Sequence, residues 1–167
     1  MADRPLWLIR AAAGLEGHGL TSIFVPTVTD VDHQPLGRTR PCRGTRIHVI
    51  EDSAGTIYHQ FQRNYDCSTD TNLLVAKRLG SIAAKYVAEP FDETFFAEVE
   101  PVAKGAMDDL ALRVPATRSA EGCSNQLSET WIREYIAYLV ERRIVEAEAL
   151  DVLEKAMRLE KPNAACT

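Results

Sequence analysis

The sequence predicts an α+β protein in which an antiparallel β-meander of about four strands is followed by about four amphipathic helices packed on the sheet. Two observations carry this. Residues 1–65 hold short apolar runs broken by Gly and Pro, whereas residues 66–161 hold apolar residues at three- and four-residue spacing. Charge divides at the same place. Residues 1–65 carry seven Arg against six acids, and residues 66–167 carry twelve Lys or Arg against eighteen, which together make the net −5 of the chain. A length of 167 residues suits one domain, which at this size buries roughly 70% of its unfolded surface and needs no disulfide or metal to fold. The expectation is a single domain over 1–167, β-rich to 65, helical over 66–161, with a frayed tail at 162–167.

In the first part, Leu6-Trp7-Leu8-Ile9 and Ser22-Ile23-Phe24-Val25 read as two buried strands joined by a segment holding Gly14, Gly17 and Gly19. That glycine segment has neither the P-loop ending nor the order of a dinucleotide fingerprint, so it reads as a plain loop. Residues 30–44 hold two prolines and two glycines without periodicity and form an irregular excursion. A hairpin follows, with strands Thr45 to Glu51 and Thr56 to Gln62 around the loop Asp52-Ser-Ala-Gly55. If Glu51 faces Thr56, His48 lies directly opposite His59.

In the second part, Leu73, Leu74, Leu79, Ile82, Ala83, Tyr86 and Val87 fit one face of a helix over about 70–89, capped from the Asp66 to Thr71 segment and stopped by Pro90. A second helix begins near Asp92 and carries Phe95, Phe96, Val99, Val102, Ala103, Ala106, Met107 and Leu110, with Pro101 kinking or restarting it. Residues 114–126 are small and polar and read as a linker. Ser128 is the expected cap of a third helix, with Trp131, Ile132, Tyr135, Ile136, Leu139 and Val140 as its apolar stripe. Val152, Leu153, Ala156 and Met157 mark a fourth.

Signatures of chemistry are sparse. The chain has no GxSxG elbow, no HExxH, no kinase set and no deaminase pair. Its four cysteines, Cys42, Cys67, Cys123 and Cys166, offer no two-residue spacing and read as free thiols. An opposed His48–His59 pair, with Cys67 as a third donor, is the one metal set that can be drawn, and the same residues are the one nucleophile-and-base set. No cofactor is expected. Arg38, Arg40, Arg43 and Arg46 form the one basic concentration, and guanidinium forks suit carboxylate or phosphate groups. Among the helical acids, Asp92, Glu93, Asp108 and Asp109 are the expected docking residues, and adjacent carboxylates of this kind point to different parts of a helix surface.

These features predict a non-catalytic protein-binding module, an inhibitor or adaptor, that meets a partner with a basic surface through its acidic helices and its arginine loop. A small metal- or cysteine-dependent enzyme with its site at the 45–62 hairpin is the alternative, and nucleic-acid contact through Arg38 to Arg46 is the third. The acidic balance disfavours the third, because phosphate affinity comes from Lys and Arg. No apolar run is long enough for a membrane span, and the opening Met-Ala-Asp-Arg-Pro lacks the pattern of a secretory signal, so a soluble, cytoplasmic protein is expected.

Overall fold

The computed structural model describes residues 3–12, 20–27, 42–87, 98–100, 102–117 and 124–159. Five long strands, β1 (Arg4–Ala11), β2 (Leu20–Pro26), β3 (Arg43–Glu51), β4 (Ile57–Asp66) and β5 (Leu73–Ile82), and a three-residue β6 (Glu98–Glu100) form one antiparallel sheet in the order β5-β1-β2-β3-β4-β6. Three helices, α1 (Ala106–Leu112), α2 (Ser124–Glu141) and α3 (Glu148–Leu159), pack on one face, α2 over β2 and β3, α3 over β5, and α1 against β4. The α+β class holds, with five long strands, the short β6 and three helices among the described residues in place of about four strands and four helices.

The largest correction concerns residues 70–89. They form β5 and a short 3-10 turn at Ala84–Tyr86, where a helix was expected. The apolar residues of this stretch suit both periods, and pairing decides between them. β5 runs beside β1 from Arg4↔Ile82 to Ala11↔Leu73, with a bulge that sets both Leu79 and Gly80 toward the helices. Leu74, placed on the apolar helix face by its spacing, is 66% exposed. Gly80 in the middle of a helix would itself have cost about 1 kcal/mol.

Of the expected helix from Asp92, the described residues contain β6 and the seven residues of α1, and Val99 and Val102 are exposed. Helix α2 starts four residues before its expected cap, so Ser128 is buried within it. Its stripe of Trp131, Ile132, Tyr135, Ile136 and Leu139 is core, as are Leu153, Ala156 and Met157 of α3. Between these helices Arg143 takes a left-handed conformation (φ 56), and the bonds Ile144 N–H to Leu139 O and Arg143 N–H to Val140 O close a Schellman turn.

The β3–β4 hairpin is one residue longer in its loop than its sequence indicated. Asp52 N–H bonds Thr56 O, and the Asp52 carboxylate accepts N–H bonds from Ala54 and Thr56, each at 2.9 Å, which draws Thr56 into the loop. Gly55 supplies the positive φ of 81°. Glu51 therefore faces Ile57, His48 faces Gln60, and Val49 faces His59. The slip by one residue sends the two histidines to opposite faces of the sheet.

A bulge near the other end of the hairpin matters for the site. Gly44 pairs Tyr65 and Arg46 pairs Gln62, so β4 carries an extra residue, and Asn64 takes it up with φ 51. As a result Arg63 points toward the helices and Tyr65 away from them. Gly44 lies tight against β2: a Cβ there would sit 2.2 Å from the Val25 carbonyl oxygen and 2.7 Å from Phe24. Since backbone cannot give way as a side-chain tip does, Gly44→Ala is expected to lower stability by about 2 kcal/mol or more, read as a lower urea midpoint at unchanged m-value.

Candidate functional site

The two faces of the sheet differ in chemistry. The helix-side face is an apolar core of Leu6, Leu8, Ile23, Val25, Ile47, Val49 and Phe61 closed by the three helices. Its few polar groups are all engaged. Arg63 forms a buried ion pair with Asp108, whose carboxylate also accepts the N–H groups of Lys104 (2.9 Å) and Gly105 (3.1 Å) at the start of α1. His59 Nε2 and Trp131 Nε1 both reach the Val114 carbonyl at 3.2 Å, and Trp131 stacks on Tyr135, whose hydroxyl donates to Met107 O at 2.8 Å.

The far face carries a second buried cluster: Trp7, Ile9, Phe24, Cys42, Tyr65 and Cys67. Strand register lays out its polar members. One row crosses the sheet as Arg78, Trp7, Phe24, Arg46 and Gln62, and the next holds Ala76, Ile9 and Ser22, with His48 paired to Gln60. Arg46 is 7% exposed. Its Nε donates to Ser22 Oγ at 2.8 Å and its guanidinium lies over the Tyr65 ring, 4.9 Å from the centroid. Among the described residues no carboxylate stands within ion-pair distance of it. The nearest compensation is Asp70, held beyond the ring by the Tyr65 hydroxyl at 2.6 Å. Burial pulls the Arg46 pKa down, against the favourable fields of Tyr65 and Asp70, and burial together with the bond to Asp70 pushes Tyr65 up.

His48 is 2% exposed and its pKa is lowered to about 3, by burial first and then by Arg46, against the bond from Nε2 to Gln60 Oε1 at 2.7 Å. The ring is therefore neutral at pH 7, with its proton on Nε2 facing the amide oxygen and Nδ1 left as an acceptor. Among the described residues that Nδ1 is buried without a hydrogen-bond partner, and so is the indole N–H of Trp7, which is 5% exposed. Buried polar atoms are paired in the great majority of cases. Among the described residues, two orphans beside a cation with no carboxylate set this face apart from the helix side.

The residues singled out in the sequence scatter across the molecule. Arg46 and His48 belong to the far-face cluster. Arg43 is exposed, at 3.8 Å from Asp66. Asp108 is spent on Arg63 and on the start of α1, so it offers nothing to a partner. Asp109 is exposed beside a recess of about 370 Å³, with Tyr86, Leu110, Arg113, Arg142 and Ile144 around it. Arg38, Arg40, Asp92 and Glu93 lie outside the described residues. The expected metal set of His48, His59 and Cys67 is not brought together: His59 faces the helices, and Cys67 stands roughly 20 Å along the strands from His48, six residues at about 3.3 Å each. Among the described residues no three His, Cys, Asp or Glu side chains converge. Sequence reasoning missed Trp7, Ser22, Tyr65 and Asp70, because register and a bulge bring them together.

An α+β chain with one helical layer and a polar cluster on the opposite sheet face is the class these observations define. Residues 6–146 match the model of the Family of unknown function (DUF6540), and the chain belongs to that family. No curated protein and no solved structure matches it. No helix among the described residues is long and apolar enough to cross a membrane.

Two outcomes follow from this chemistry. An unfolded imidazole titrates near 6.5 and the folded His48 near 3, so between those values the unfolded chain binds a proton that the native state refuses. Stability then falls as pH drops from about 6.5, and His48→Gln is expected to flatten that decline between about pH 6.5 and 4.5 in urea titrations. On the other face, Asp108→Asn leaves Arg63 without its carboxylate and is expected to cost about 3–5 kcal/mol, part of which the added change Arg63→Met recovers.

Proposed function

We propose that the protein is a non-catalytic protein-binding module, an inhibitor or adaptor, whose far sheet face receives a carboxylate of its partner at Arg46. The carrying observation is a guanidinium 7% exposed with no acid beside it among the described residues. A buried cation without a counter-charge is expensive, and stacking on Tyr65 offsets only about 2 kcal/mol. A carboxylate offers the matching geometry, two oxygens to the two terminal nitrogens of the fork, and the Trp7 N–H and His48 Nδ1 add one donor and one acceptor for the groups around it. The exposed acids Glu141, Glu146, Glu148 and Asp151 about the α2–α3 corner are the part of the acidic helical surface left to a basic partner surface.

The test follows the Trp7 indole resonance, assigned through Trp7→Phe, in proton–nitrogen spectra during titration with acetate and with an acidic tripeptide. A saturable shift, at least tenfold tighter for the peptide and lost in Arg46→Met with the amide spectrum otherwise preserved, is expected. Equal affinity for acetate would turn the reading to a small acid as the ligand, and no shift with either probe would overturn it. Loss of a buried charge-assisted contact costs about 2–5 kcal/mol, so Arg46→Met is expected to weaken the peptide by roughly thirtyfold or more.

A further inference from the structure

Cys42 and Cys67 stand where β3 and β4 meet at their far ends. Arg43 pairs Asp66 and Gly44 pairs Tyr65, and one more step of that ladder sets Cys42 directly opposite Cys67. The Cys67 N–H bonds the Cys42 carbonyl at 3.1 Å, and the Cys67 thiol donates toward the same oxygen at 3.3 Å. The Cys42 N–H turns instead to the Asp66 carboxylate at 3.2 Å, and residues facing each other across antiparallel strands have Cα atoms about 4.5–5.5 Å apart, within the span a disulfide accepts. Both side chains are free and nearly enclosed, Cys42 at 5% and Cys67 at 1% exposure.

We propose that Cys42 and Cys67 are an oxidative modification site, a dithiol that closes to a cross-strand disulfide on reaction with a small-molecule disulfide such as oxidised glutathione. The neighbouring Cys67 thiol lowers the Cys42 pKa, whereas its nearness to Cys42 and then burial raise that of Cys67, so Cys42 is the attacking sulfur. Its thiolate attacks one sulfur of the reagent, forms a mixed disulfide and expels one glutathione thiolate. Cys67 then gives up its proton and attacks Sγ of Cys42, expelling the second. Two protein thiols are oxidised, one small disulfide is reduced to two thiols, and the two protons end on those thiols. Since Cys42 precedes the first residue of β3, opening of that strand end is the step that admits the reagent. Closure fixes the strand end that holds Tyr65 against Arg46, but the inference stands on the cysteine geometry and not on the binding proposed above.

The experiment incubates the folded chain with oxidised glutathione, blocks remaining thiols with iodoacetamide in denaturant, and maps peptides by mass spectrometry. The expected product is a Cys42–Cys67 cross-linked peptide lighter by two hydrogen atoms and released by dithiothreitol. Cys67→Ser should stop at a glutathione adduct on Cys42. Alkylation of both cysteines after the incubation, or a wild-type product that ends at the single glutathione adduct, overturns the proposal. Peptide mapping of the wild-type chain reads the link directly, so the result does not depend on any variant folding.

Discussion

Strand β1 is the constraint on which the rest of the structure depends. Its run Leu6-Trp7-Leu8-Ile9 is buried residue by residue, so both of its faces must be covered and both of its edges paired. Pairing on one side comes from β2 in the ordinary meander. On the other side it comes from β5, which the chain returns to the far edge of β1 after β4. With β1 so placed, Leu6 and Leu8 define a face for three helices, and Trp7 and Ile9 define a second buried face that the helices do not touch. The second face exists because β1 is apolar on both sides, and every polar residue gathered there inherits its burial.

How far this was legible differs by element. The strandedness of β1 and β2 was plain in their short apolar runs, and the stripe Trp131-Ile132-Tyr135-Ile136-Leu139 announced α2, since a run of that length fits only the helical period. β5 was hidden because Leu73, Leu79 and Ile82 satisfy a helical spacing as well as a strand, and the deciding fact, an unpaired edge on β1, is a property of the sheet and not of residues 73–82. The hairpin was visible while its register was not. One extra loop residue, taken in by the Asp52 carboxylate, was enough to separate His48 from His59. Arg46 was picked out as a member of a basic cluster, yet its setting depends on Gly44, on Asn64 at φ 51 and on a bulge, none of which a basic count reveals.

The ion pairs show why a count of surface acids overstates docking capacity here. Glu129 is tied to Arg10 of β1, Glu154 accepts from Arg133 at 2.8 Å, and Asp108 holds Arg63. Each links a helix to the sheet or to its neighbour. These acids are engaged in holding the helices to the sheet and to each other.

Indole, imidazole and guanidinium groups occur on both sides of the sheet, which allows a comparison within one molecule. Trp131 on the helix side has its indole N–H on a carbonyl, and Trp7 on the far side has no partner among the described residues. His59 reaches the same carbonyl, whereas His48 leaves Nδ1 orphaned. Arg63 has a carboxylate and Arg46, among the described residues, has a hydroxyl and a ring. An unpaired buried polar atom costs about 1–3 kcal/mol and a charged group more, and among the described residues Trp7, His48 and Arg46 carry such costs on one face. A group that accepts from Arg46 and Trp7 and donates to His48 would remove all three costs at once.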